Sequence, residues 1–153
     1  MSRFRRLWRR VLRDCSVEAA FAVAADIESY PQFLPGVIEA RIVAKRDGRW
    51  TVDQCFGLGP LRSRFRTYAT PAPPHALSIV SHEGPWREFR LTWRFRAAGA
   101  DVLAECEYDA SFRSPMLGAL AGAAAAGRPA HRFGRDRRQA SRFRLRINVE
   151  DRN

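Results

Sequence analysis

The chain has 153 residues, a formal charge of +11 and three cysteines, enough for one domain with its own apolar core and too few for two. Cys15, Cys55 and Cys106 form no C-x-x-C pair and the three histidines have no metal-ligand spacing, which argues against a structural zinc site and for reduced thiols in a cytoplasm. No run approaches the ~20 apolar residues that cross a bilayer, and no apolar leader core follows the charged start, so the sequence reads as neither exported nor membrane-spanning.

The charge is concentrated at the ends. Residues 1–13 hold six arginines and no acid, and residues 128–153 hold nine arginines against Asp136, Glu150 and Asp151. The body at 14–127 carries 12 basic against 13 acidic side chains, so affinity for a polyanion would belong to the ends and not to the domain body. Lys45 is the single lysine.

At the N-terminus Phe4, Leu7, Trp8, Val11 and Leu12 recur at helical spacing opposite an arginine face, which on periodicity alone describes a basic amphipathic helix. Ser16 reads as an N-cap, and Val17, Ala20, Phe21, Ala24 and Ile27 then form the apolar stripe of a short helix that Pro31 closes. Tyr30, preceding a proline, is expected in an extended or turn conformation, and Gln32 to Leu34 allow at most one further turn before Pro35 and Gly36.

From Val37 the period becomes two. Ile38, Ala40, Ile42 and Ala44 share one face of a strand, and Trp50, Val52, Gln54 and Phe56 share one face of the next. "GLGP" at 57–60 reads as a hairpin turn rather than a phosphate loop, since no third glycine and no helix follow. A four-residue loop places Phe56 opposite Leu61, Gln54 opposite Ser63, Val52 opposite Phe65 and Asp53 opposite Arg64.

"HALSIVSH" at 75–82 is a further strand. "GPWREFRLTWRFR" follows with Phe89, Leu91, Trp93 and Phe95 on one face, and then "VLAECEYDASFR" with Val102, Ala104, Cys106, Tyr108, Ala110 and Phe112 on one face. That register sets Arg94 against Glu105 and Arg90 against Asp109 on the outside. Ser114 and Pro115 open a helix, "PMLGALAGAAAA", which Gly127 and Pro129 interrupt. In the basic remainder only "RFRLRINVE" alternates like a strand.

"DIESYPQFLP", followed by "EGPWREFRLTWRF" and "AECEYDASFRSPMLGAL", resembles the coenzyme Q-binding START-domain family of the polyketide cyclase/dehydrase (SRPBCC) superfamily, over roughly residues 7–126. That superfamily also contains the ribosome-association toxin branch, RatA. The resemblance implies an α+β helix-grip fold: a curved antiparallel sheet of about six or seven strands, two short helices after the first strand, and a C-terminal helix over the concave face. It also places the first strand at about 5–13, which favours strand over helix there, because the sheet would otherwise expose an edge. The helix-grip domain would span residues 1–127, with 128–153 as a basic extension.

What the resemblance implies functionally is a carrier that holds ubiquinone or a similar prenylated lipid in an apolar tunnel without transforming it and needs no cofactor. Trp50, Phe56, Phe65, Trp93 and Phe95 would line the tunnel; from the residues alone such an aromatic face is more often a filled core than a hollow one. Tyr30, Pro31, Phe33, Leu34 and Pro35 would form a greasy lip, or alternatively a hydrophobic staple closing one end of the core. Gln54 and Ser63, the polar pair of the inner face, are candidates for hydrogen bonds to the quinone ring. Arg9 and Arg10 would project beside the lip and draw the domain to an anionic membrane surface, placing it in a bacterial cytoplasm, peripheral to the inner membrane.

Two departures stand out. Gly36 and Val37 replace the Trp-Cys that relatives often carry, and the last helix breaks early, so the tail is either an extension or a change of reading frame. The rival expectation is a ribosome-directed toxin, with Arg137, Arg138, Arg142, Arg144 and Arg146 and the interleaved Phe133 and Phe143 contacting ribosomal RNA. An enzyme is the weaker reading. No catalytic motif is present, His75, His82 and His131 have no partner at informative spacing, and Asp26 and Glu28 read as a solvated helix end.

Overall fold

The computed structural model describes residues 3–34, 36–58 and 60–119. Its elements are β1 (Arg3–Leu12), α1 (Val17–Ala25), a 3₁₀ turn (Ile27–Gln32), β2 (Val37–Arg46), β3 (Arg49–Leu58), β4 (Leu61–Ala72), β5 (Ala76–Ser81), β6 (Trp86–Ala98) and β7 (Asp101–Phe112). Seven strands make one sheet in the order β1-β7-β6-β5-β4-β3-β2, and every neighbouring pair is antiparallel. From β2 to β7 each strand lies beside its sequence neighbour. β1 instead pairs with β7, so the segment holding α1 and the 3₁₀ turn joins the two sheet edges. A helix opens at residue 115, where the Gly118 N–H donates to the Ser114 carbonyl. The remainder of the expected lid helix, the tail and the "RFRLRINVE" strand lie outside the described residues.

The N-terminal segment is a strand, and it divides the apolar residues that helical spacing groups together. Phe4, Trp8 and Leu12 pair with Ala110, Cys106 and Val102 and share the inner sheet face, where Trp8 stays exposed, while Leu7 and Val11 alternate outward and are exposed as well. A period of two decides faces in a strand whatever other spacing the residues satisfy.

Helix α1 is capped as expected: the Ser16 side chain accepts from the Ala19 N–H at 3.1 Å, and Val17, Ala20 and Ala24 are buried. It ends at Ala25, and Pro31 sits inside the following 3₁₀ turn. Tyr30 is therefore not extended. It is 2% exposed and its hydroxyl donates to the Ala24 carbonyl at 2.5 Å, so burial and that bond outweigh the local bias of a pre-proline residue.

Three other expectations change. β2 carries irregularities between Val37 and Glu39 and between Ile42 and Ala44, which turn Ile38 outward and bury Val37 and Ala40; an extra residue in one strand switches the face of its successors. The β3–β4 hairpin is tighter, with Leu58 opposite Leu61, Phe56 opposite Ser63, Gln54 opposite Phe65 and Val52 opposite Thr67. A shift of two preserves every face but makes Arg66, not Arg64, the partner of Asp53, at 2.7 Å. Lastly, Arg90 and Arg94 do face Asp109 and Glu105 in register, yet the ion pairs run elsewhere. Arg94 reaches Glu107 at 3.2 Å, Arg9 takes Glu105 at 3.1 Å, and Asp109 is held by Arg3 and Arg5. Long arginine side chains reach diagonal neighbours as readily as opposed ones.

Asp109 anchors the first strand. Arg3 approaches it with two N–H groups, at 2.8 and 2.7 Å, and holds the carboxyl below its usual range, with Arg5 adding to the effect. A depressed carboxyl contributes stability that is present above the unfolded pKa of about 3.9 and is lost as pH falls through the folded value. Amide exchange in β1 should therefore accelerate below about pH 4. In Asp109→Asn that acid sensitivity should disappear with little loss of stability near neutral pH, since Arg3 is more than half exposed and solvent screens the pair.

Candidate ligand-binding face

The inner sheet face is set by strand registers. Phe56, Phe65, Trp86, Phe89 and Phe112 converge from four strands, with Trp86 ring centroids 4.6 Å from Phe112, 5.1 Å from Phe89 and 5.4 Å from Phe65. Phe4 closes this group edge-on against Phe112 at 5.9 Å. Phe56 and Phe65, expected in a tunnel wall, thus belong to a closed aromatic cluster. Trp86, not singled out from sequence, is its centre; the irregularity between Trp86 and Glu88 is what returns it to the inner face.

Farther along the same face burial is less complete. Trp93 is half-buried and stacks on Phe95 at 6.1 Å, and Phe95 also meets Phe21 of α1 edge-on at 6.5 Å. Trp50 is half-buried beneath the Lys45 ammonium, 4.2 Å from the ring centroid. Small side chains, Ala104 and Cys106, lie on β7 opposite Phe95 and Trp93. Burial pushes the Cys106 thiol up to about 12, so it is inert as a nucleophile.

The five expected lip residues separate. Tyr30 is a core anchor, Pro31 is exposed, and Phe33 and Leu34 are half-buried against the core; Pro35 lies outside the described residues. Phe33 rests edge-on against Tyr30 at 5.4 Å, and the Leu34 N–H donates to the Tyr30 carbonyl at 2.8 Å. Burial raises the Tyr30 phenol pKa, against a smaller opposing effect of Trp93. Gly36 has φ +87 and its carbonyl accepts from the Gly57 N–H at 2.8 Å. That left-handed conformation disfavours any residue with a Cβ.

The polar residues also re-pair. Gln54 is buried and its Nε2 donates to Thr67 Oγ1 at 3.0 Å, while Ser63 stands opposite Phe56. Thr67 was missed, though its alternation with Phe65 and Ala69 marks it as inward-facing. Ser81 is a further buried hydroxyl, donating to the Arg66 carbonyl. Asp26 accepts from the Ser29 hydroxyl at 2.6 Å and Glu28 from the Ile42 N–H at 3.3 Å. His75 and His82 each contact a backbone carbonyl through Nδ1. These four side chains hold loops and make no acid–base constellation. Among the described residues no group of three metal-ligating side chains occurs, and no helix is long and apolar enough to cross a membrane. Arg9 and Arg10 lie on opposite faces: Arg9 outward on Glu105, Arg10 inward opposite Ala104.

A curved antiparallel sheet with an aromatic inner face, its edges joined through α1 and the 3₁₀ turn, defines a helix-grip domain of the START type. The chain belongs to the family described as polyketide cyclase / dehydrase and lipid transport, which it matches over residues 14–134. It is 25% identical over 91 residues to the ribosome association toxin RatA of Pseudomonas aeruginosa, covering 60% of this chain and 63% of that protein. It is 24% identical over 110 residues to the persistence and stress-resistance toxin PasT of Escherichia coli, covering 71% and 70%. The chain thus spans a little under two-thirds of the length of that RatA relative. A crystal structure from Thermus thermophilus superposes with a TM-score of 0.67 at 17% identity, over 80% of this chain and 84% of that one.

Proposed function

We propose that the protein is a non-enzymatic carrier of a prenylated quinone such as ubiquinone, working at the cytoplasmic face of a bacterial inner membrane. The observation that carries this reading is the incomplete cover of the inner face: Phe65, Trp86, Phe89 and Phe112 are buried in one aromatic cluster, whereas Phe56 at its margin and Trp50, Trp93, Phe33 and Leu34 stay half-buried. Apolar area that the protein does not cover itself is stabilised by an apolar ligand at ~25 cal/mol per Å². The family's description as lipid transport agrees with it. The basic N-terminal strand supplies attraction to anionic lipid, each free arginine contributing up to ~1 kcal/mol near such a surface.

Organic extracts of natively purified protein, examined by mass spectrometry, should contain an isoprenoid lipid. Added short-chain ubiquinone should quench tryptophan emission and raise the melting temperature. Absence of all three effects ends the carrier reading. Leu34→Ala is expected to slow quinone transfer between vesicles while costing no more than about 1–2 kcal/mol of stability, because Leu34 is only partly covered. Gln54→Leu removes the bond to Thr67; unchanged quinone affinity in that variant would take Gln54 out of the headgroup site. Flotation with vesicles should increase with anionic lipid and decrease with salt.

A second reading, ribosome association, is favoured by the relatives named ribosome association toxin. Under it the chain would co-sediment with large ribosomal subunits at low salt and be released as salt rises. Truncation at residue 127 should abolish that binding if the basic tail makes the contacts. Co-sedimentation that survives truncation would move the contact to the domain body.

A further inference from the structure

Among the described residues, the inner face carries a cation with no partner. In β1, Arg9 points outward to Glu105, and Arg3 and Arg5 point outward to Asp109. Arg10 points the other way. It stands opposite Ala104, which stands opposite Phe95, so Arg10 and Phe95 share one cross-strand row. Its Nη1 is sealed from solvent and makes no hydrogen bond. The register places Phe4, Arg6, Trp8 and Leu12 beside it on β1, only apolar, cysteine and tyrosine side chains on β7, and only apolar ones from Phe89 to Phe95 on β6. On β1, β6 and β7 no carboxylate stands on that part of the sheet face; from the segment packed over it, Asp26 acts on Tyr30. Desolvation lowers the Arg10 pKa, but a guanidinium does not shed its proton and offers donors only.

The indole Nε1 of Trp93, stacked on Phe95, is likewise buried, and it is directed at the Tyr30 hydroxyl, whose pKa it lowers. Arg10, half-buried with one nitrogen sealed, therefore carries an unpaired donor on an otherwise apolar face. A buried donor left unpaired is costly. What satisfies it is an acceptor oxygen arriving with an apolar body.

We propose that Arg10 is a ligand-recognising residue that binds the oxygen-bearing head of an amphipathic ligand, a carboxylate or a quinone carbonyl, with the apolar body lying against Trp93 and Phe95. This rests on the carrier reading above and adds the chemistry of the head. A retained cation that costs stability when the site is empty is explained by the ligand it meets when the site is full. The adjacent Arg6, on the same face, adds positive potential near Tyr108 and favours an anionic head over a neutral one.

The test compares wild type, Arg10→Met, Arg10→Lys and the outward-facing control Arg9→Gln, each titrated with oleate and with short-chain ubiquinone by tryptophan fluorescence, and each melted without ligand. Arg10→Met is expected to weaken binding about tenfold or more, the worth of one charge-assisted hydrogen bond, with a ligand-free melting temperature equal to or above wild type. Arg10→Lys should retain part of the affinity, and Arg9→Gln should bind as wild type does. A loss confined to oleate identifies a carboxylate head, and a loss with both ligands identifies an acceptor oxygen of either kind. Wild-type affinity in Arg10→Met overturns the proposal and leaves the carrier reading standing, as does an affinity loss matched by an equal fall in ligand-free stability. If wild type binds neither compound, the carrier reading fails and this inference with it.

Discussion

Trp86→Ala is expected to cost about 3–5 kcal/mol, the range for deleting a buried aromatic side chain, and in a domain of marginal stability that is a large fraction of the folding free energy. The indole is 3% exposed and lies within ring contact of Phe56, Phe65, Phe89 and Phe112. These rings come from β3, β4, β6 and β7, so the cavity left behind would be lined by four strands and none could collapse into it without moving the sheet. Trp93→Ala should cost much less, about 1–3 kcal/mol, because Trp93 is half-buried with one stacked partner. Urea unfolding of the two variants makes the comparison. Equal losses would mean that both ends of the inner face are packed core, and the open end on which ligand binding depends would not exist.

Gly84→Ala and Gly48→Ala form the second contrast. Both glycines have left-handed backbones, φ +64 and φ +71, and an added Cβ carries the same conformational penalty of about 1–2 kcal/mol at each. At Gly48 nothing lies within 4 Å of that Cβ. At Gly84 it would lie 2.7 Å from the Phe65 Cβ and 3.2 Å from the Arg64 carbonyl oxygen. Neither neighbour is the free end of a flexible side chain, so the turn before β6 must move away from β4 and drag Trp86 with it. Gly48→Ala should therefore unfold at slightly lower urea than wild type, and Gly84→Ala should lose at least a further 2 kcal/mol or so, the usual cost of overpacking. Similar losses at the two sites would show that the turn yields freely and does not hold the aromatic cluster together.

The elements themselves were legible in the sequence because the signals that define them are local. Alternation at Phe89, Leu91, Trp93 and Phe95 names the inner face of β6 without reference to any other strand. Ser16 names the start of α1, since a cap needs only the next three residues. The aromatic character of the candidate site was legible for the same reason, as were Phe33 and Leu34 as apolar residues near a chain reversal.

What the tertiary structure decided was every relation between distant residues. Periodicity in the first 12 residues fits a helix, and only pairing with β7, about a hundred positions away, makes the segment a strand and sends Arg10 inward while Arg9 goes out. Tyr30 carries a local bias toward extended backbone, yet a hydroxyl bond to Ala24 and full burial hold it in a 3₁₀ turn. Ile38 belongs by parity to the inner face, and an irregularity in the pairing with β3 expels it. Gln54 finds Thr67 rather than Ser63 because the hairpin closes two residues tighter than its glycines suggest. Side-chain direction within a strand is a property of one chain segment; register, partners and unpaired donors are properties of two, and the sum of weak long-range contacts that selects among them has no local signature.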